Sequence, residues 1–177
     1  MKFHHTDSAE VLSIKRIRDV FAVLAVTLTL TAAGLKYRTF SVGDDEALHL
    51  IRTDRKEEVV PRDKGQMSFG KVAISQDRQL VGWFAYYPNP FPSAQSTVPQ
   101  TLVIFHDGQV LRRFTTQQIF WDWTFLKGGT QVAYCDGPPT GGADQCLLRS
   151  VDTGKILEKW DPRPEGAPPR WAIGLHY

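Results

Sequence analysis

The sequence lacks the short motifs that mark most enzymes. It has no Gly-x-Ser-x-Gly elbow, no His-Glu-x-x-His, no Cys-x-x-Cys and no phosphate-binding glycine loop. His49, His106 and His176 lack the spacing that builds a metal site, so neither a metal nor a cofactor is expected. No helical period follows residue 35, which argues against helical bundles and alternating α/β folds. The body of the chain has no basic block or basic-aromatic stripe. With a formal charge of only +2, nucleic acid is not an expected partner. The turn carboxylates Asp77, Asp107 and Asp152 suit hydrogen bonding to nearby backbone better than acid-base work. His106 beside Asp107 reads as a strand-end residue next to a turn, because no nucleophile is implied nearby. No catalytic residue is therefore expected.

What is present begins with residues 1 to 34. Lys15, Arg16 and Arg18 precede "VFAVLAVTLTLTAAG", and Thr31, Ala32 and Ala33 supply small residues near its end. A basic region, an apolar run and small residues form the pattern of an export signal. The uncharged run from Val20 to Leu35 would be about 24 Å long as a helix at ~1.5 Å per residue. A bilayer core is about 30 Å thick, so a cleaved signal is favoured over a membrane anchor formed by residues 20 to 35. The expected location is periplasmic or secreted.

Residues 35 to 177 read as one all-β domain. "LHLIRTDRKEEVV" predicts a hairpin around Asp54. "KVAISQDRQLVGWFAYY" predicts two strands about a turn at Gln76–Arg78. "TLVIFHDGQVLRRF" is the clearest hairpin, because Asp-Gly suits a type I′ turn with two positive φ angles. "IFWDWTFLKGGTQVAYC" alternates, placing Ile119, Trp121, Trp123 and Phe125 on one face and Phe120, Asp122 and Thr124 on the other. "CLLRSV" and "KILEKW" follow, joined at Asp152-Thr153-Gly154. The tail is rich in proline and ends in an apolar patch, Trp171-Ala172-Ile173, expected to dock as a last strand.

The two cysteines, Cys135 and Cys146, flank the turn-rich "DGPPTGGADQ" at the ends of two predicted strands. They would face each other across a hairpin, and in an oxidising compartment a disulfide is favoured over two buried thiols.

The strands repeat. "TLVIFHDGQVLRRF" is echoed by "LLRSVDTGKILEKW", and Asp107 and Asp152 are 45 residues apart (152 − 107). Four strands in 40 to 50 residues is the period of a propeller blade. With Ser75-Gln76-Asp77-Arg78 at a first turn, "LVGW" and "QVAY" after the turns, and Asp152-Thr153-Gly154 with Leu157 in a last hairpin, the units resemble blades of the periplasmic β-propeller associated with the Tol system. The resemblance covers residues 72 to 160, with repeats at about 72–114 and 119–160. It implies two consecutive four-stranded antiparallel blade-like sheets after a signal or anchor helix. Propellers typically have 4 to 8 blades, whereas this chain has room for about two and a half. A small sandwich burying Trp121, Trp123 and Phe125 against Trp83 is expected, and a monomer is favoured over a ring closed by self-association.

The loops 88–100 and 137–145 should emerge at one end of the domain. Tyr86, Tyr87 and Phe91 lie beside the first and are candidate binding residues. Their alternative role is packing beneath that loop. The expected function is a non-enzymatic exported binding or interaction module acting on an envelope protein or a glycan. The alternative is a hydrolase of envelope or extracellular polymers with its site on the loop end.

Overall fold

The computed structural model describes residues 34–90, 96–163 and 166–177. The expected signal or anchor and Phe91 lie outside the described residues, except for Gly34 and Leu35. Among the described residues no helix is long and apolar enough to cross a membrane.

The domain is all-β, and three antiparallel sheets follow one another along the chain. Strands β1 (Tyr37–Val42), β2 (Leu48–Arg52) and β3 (Glu57–Val60) form sheet A. Strands β4 (Ser68–Ile74), β5 (Leu80–Pro88), β6 (Thr97–His106) and β7 (Gln109–Thr115) form sheet B in sequential order. Strands β8 (Ile119–Leu126), β9 (Gln131–Gly137), β10 (Gln145–Ser150) and β11 (Ile156–Trp160) form sheet C, again in sequential order. Sheets B and C are consecutive four-stranded antiparallel sheets, as expected from sequence. Asp107 and Gly108 have φ of 48° and 78°, the two positive angles that the Asp-Gly hairpin requires. Sheet A exceeds the expected hairpin by β1, whose residues after Tyr37 are all exposed and so carry little apolar signal.

Sheet B is the middle layer, and the alternation of β5 shows why. Leu80 and Phe84 point into a core shared with Phe120, Trp123, Val132 and Tyr134 of sheet C. Val81, Trp83 and Ala85 point the other way, into a core with Tyr37, Leu48, Leu50 and Val60 of sheet A. A strand buried on both faces reads as a continuous apolar run, as "LVGWFAY" does. Gly82 sits within that run because the edge of the Trp123 indole abuts it: a Cβ there would be 2.4 Å from the indole Cη2.

Two expectations about the tryptophans are corrected. A β-bulge between Phe120 and Asp122 shifts the phase of β8 by one residue. Phe120, Trp123 and Phe125 therefore face sheet B, whereas Trp121 packs on the far side of sheet C. The partner is also different. Trp83 belongs to the core with sheet A, and Phe84 meets Phe120 and Trp123 at centroid distances of 5.5 and 6.3 Å.

The far side of sheet C is covered by the C-terminal segment. Ala172 and Leu175 pack on Ala133, Cys135, Cys146 and Leu148. Trp171–Ile173 is not a strand. A 3-10 helix spans Arg170–Ala172, and Ile173 points outward at 66% exposure. Pro168 and Pro169 precede it and Gly174 follows with φ of 87°, leaving too short a run to pair with a strand.

Asp122 fastens this cover. The carboxylate is buried, accepts the backbone N–H of Trp123 at 2.8 Å and that of His176 at 2.9 Å, and is paired with Lys71. Lys71 sits at a bulge of β4 with φ of 42°, and its carbonyl accepts the Trp123 indole N–H at 3.1 Å. Burial lowers the Lys71 pKa.

Cys135 and Cys146 lie directly opposite each other on β9 and β10, with Cα atoms 4.0 Å apart, and form the expected disulfide. Closing so short a loop contributes about 3 kcal/mol in the chain-entropy picture. Such bonds persist in oxidising, exported compartments.

Candidate functional site

The strand register sorts the connections into two ends. At one end lie the tight turns around Asp77, Asp107, Gly128 and Thr153. At the other lie the loop between β5 and β6, the β7–β8 linker, the loop flanked by the cysteines, and the exit of β11. The β5–β6 and β9–β10 connections thus share an end, as expected from sequence, but residues 97–100, expected to be loop, belong to β6, where Pro99 pairs with Tyr86.

At the loop end a cleft of about 420 Å³ opens between the β7–β8 linker and the end of sheet C. Thr116, Gln117 and Gln118 of the linker form one wall. Asp136 at the end of β9, and Asp144 and Gln145 at the start of β10, form the next. Lys159, Asp161 and Arg163 complete it. The linker is only three residues long, which forces Thr116 against the end of β9.

The groups are ordered by hydrogen bonds. Thr116 Oγ1 donates to Asp136 Oδ2 at 2.8 Å and accepts the Gln118 backbone N–H at 3.2 Å. The Gln118 amide donates to Asp144 Oδ2 at 3.3 Å. Arg163 grips both oxygens of Asp161 and reaches Asp144 Oδ1 at 3.2 Å. That guanidinium holds the Asp161 carboxyl down to about 2.

Asp136 is different. It is only 6% exposed, and its Oδ1 is buried with no donor among the described residues. A buried carboxylate oxygen without a partner costs free energy, so one in a native fold calls for an explanation.

The sequence singled out Tyr86, Tyr87 and Phe91 near this end. Tyr86 is half-buried and packs against the core between sheets B and C, its ring over Gly70, where a Cβ would be 2.3 Å from it. Tyr87 borders a shallow groove with Gln100, Thr101, Thr115 and Thr116, and so adjoins the cleft through Thr116. Burial raises the Tyr87 pKa, as does the charge of Asp63. Phe91 is outside the described residues. The cleft residues Thr116, Asp136, Asp144, Asp161 and Arg163 were not singled out. Nothing local marks a strand-end aspartate as buried against a threonine twenty residues earlier.

A second cleft, of about 250 Å³, lies at the turn end and includes Asp77, Leu80, His106, Leu111 and Asp152. Asp77 there serves its own turn, accepting from the Ser75 hydroxyl at 2.6 Å and the Gln79 N–H at 3.1 Å. Asp107 accepts the N–H of Leu35 at 2.8 Å. Among the described residues no group of three or more His, Cys, Asp or Glu is placed to hold a metal ion.

No protein-family model matches the chain. No curated protein shows significant sequence similarity to it.

Proposed function

We propose that the chain is an exported, non-enzymatic binding module that recognises an envelope protein or glycan at its loop end. The observation that carries this reading is Asp136, a buried carboxylate with a free oxygen in the wall of a polar cleft. The disulfide and the signal-like residues 1 to 34 support a periplasmic or secreted location.

The three carboxylates in the cleft also bring the hydrolase reading into view. Polymer hydrolysis by carboxylates needs one that is protonated near neutral pH and a second that is ionised. Asp161, held at about 2, is no proton donor there, and Asp144 is engaged by the same arginine. Asp136 is left as the one described cleft carboxylate that the hydrolase reading could use as its acid, and the Asp136→Asn assay below separates the two readings.

The architecture is read as a short run of propeller-like blades in a monomer. In its support, sheets B and C are sequential four-stranded meanders stacked face to face. The place where a further blade would stack on sheet C is taken by residues 171–175. A solution mass of one chain is expected, and a stable closed oligomer would overturn that part.

The function is tested by presenting envelope glycans and purified envelope proteins to the wild type and to a Thr116→Ala/Gln118→Ala double variant. Binding by the wild type that the variant loses supports the reading. Release of cleaved product, abolished by Asp136→Asn, would establish the hydrolase instead. Tyr87→Ser and Phe91→Ser separate recognition from packing: a lower melting temperature with unchanged binding assigns both rings to packing.

A further inference from the structure

The C-terminal cover is anchored at both edges of sheet C. On the edge strand β8, Asp122 Oδ2 accepts the His176 backbone N–H at 2.9 Å. On the opposite edge strand, β11, Glu158 Oε2 accepts the Trp171 indole N–H at 2.6 Å. The Trp160 ring of β11 also meets Tyr177 edge-on, at a centroid distance of 4.9 Å. Between these anchors lie the central strands β9 and β10, which carry Cys135 and Cys146. Ala172 and Leu175 share one apolar cluster with both cysteines, and both cysteines are fully buried.

Thiol–disulfide exchange needs direct contact. An attacking thiolate must reach one sulfur of the bond and form a mixed disulfide before the other sulfur leaves. One face of sheet C is packed on sheet B through Phe120, Trp123, Val132 and Tyr134. The other face holds the disulfide beneath the C-terminal segment. Ala143, in the loop between the cysteines, closes the same cluster at 3% exposure. The cover is the part of this enclosure that leaves most easily. It is a chain terminus with one short 3-10 turn, and Ile173 and Tyr177 within it are exposed. Termini with few buried apolar contacts open locally, at a free energy well below that of global unfolding.

We propose that the cover gates the disulfide: Cys135–Cys146 exchanges with thiols only while residues 171–177 are lifted from sheet C. In the open state a dithiol attacks one sulfur and forms a mixed disulfide, which its second thiol then displaces. Two electrons and two protons pass to the protein, both cysteines become thiols, and the reductant leaves as a cyclic disulfide. In the closed state the bond is out of reach of thiols in the surrounding medium. Maturation therefore has an order, in which the two sulfurs pair before the segment docks.

The full chain is treated with dithiothreitol and quenched with iodoacetamide, and the alkylated cysteines are counted by intact mass. Lifting the cover exposes little surface, so the wild-type reduction rate should climb with urea at a small fraction of the slope of global unfolding. A rate that follows the global slope would overturn the gate. Leu175→Asp puts a charge into the apolar cluster, which the terminus escapes by lifting. This variant should be reduced about tenfold faster or more without urea, while amide exchange of β5 and β6 stays at the wild-type rate. Reduction no faster than in the wild type would also overturn the proposal. Should Leu175→Asp quicken exchange in β5 and β6 as well, the urea slope of the wild type decides.

Discussion

Replacing Asp122 with alanine removes an acceptor shared by three structural parts. The backbone N–H groups of Trp123 and His176 lose their partner, and Lys71 loses its counter-ion. Hydrogen bonds to a charged group contribute about 1.5–3 kcal/mol each. Lys71 is 43% exposed and regains water, so its share is small. The two N–H bonds together predict a loss of about 3–6 kcal/mol, close to the ~3–5 kcal/mol seen when a buried ionic contact is broken on one side. For a domain of this size that is roughly 9–18 °C of melting temperature, at about 3 °C per kcal/mol. The loss should also be regional. Amide hydrogen exchange of residues 172–177 should quicken more than that of β5 or β6, because His176 is held through Asp122 while those strands are held by two cores. Thermal denaturation and exchange by mass spectrometry are the assays. A variant within about 1 kcal/mol of wild type, or a C-terminal segment as protected as before, would refute the claim that Asp122 fastens the cover.

Three further outcomes are expected. Gly82→Ala places a Cβ against the Trp123 indole and should cost about 1–3 kcal/mol by overpacking, read by urea denaturation. Reducing the Cys135–Cys146 bond should lower stability by about 3 kcal/mol without changing the strand content seen by circular dichroism. His49 lies between Asp45 and Glu57, which raise its pKa, while it lowers that of Asp45. A raised histidine contributes stability in full below its unfolded value of about 6.5 and loses it as pH rises through the folded value. The lowered Asp45 contributes above its unfolded value of about 3.9 and loses that as pH falls. His49→Gln should therefore lower the melting temperature at pH 6 and leave it unchanged at pH 10. An equal effect at both would contradict the ion-pair origin.

The hairpins were legible because their signals are local. An Asp-Gly pair fixes a turn type, and "LVGWFAY" is apolar at every position because both its faces are buried. Strand β1 escaped notice because only Tyr37 of its six residues is buried. The phase of β8 was misread because a bulge leaves no trace in a period-2 pattern when Phe120, Trp121 and Trp123 are all aromatic. The loop end was foreseen from the order of strands, and the cleft chemistry was not. Thr116 and Asp136 meet only because a three-residue linker folds sheet C back on sheet B, a long-range consequence that no window of sequence displays.

Stacked sheets form an array that could in principle grow without limit, since each added layer offers another apolar face. Repeat proteins need special ends for this reason. Here residues 171–175 act as the terminator: they spend the apolar face of sheet C within the same molecule. The opposite end is closed by chemistry instead. By register, Thr39, Ser41, His49 and Glu57 face outward from sheet A beside Ile51 and Val59, and the imidazole bracketed by carboxylates makes this mixed face poor ground for another sheet. The number of layers is thus set at the two ends of the stack. A lineage that lengthened this domain by duplicating a sheet would first have had to displace the segment tied to Asp122.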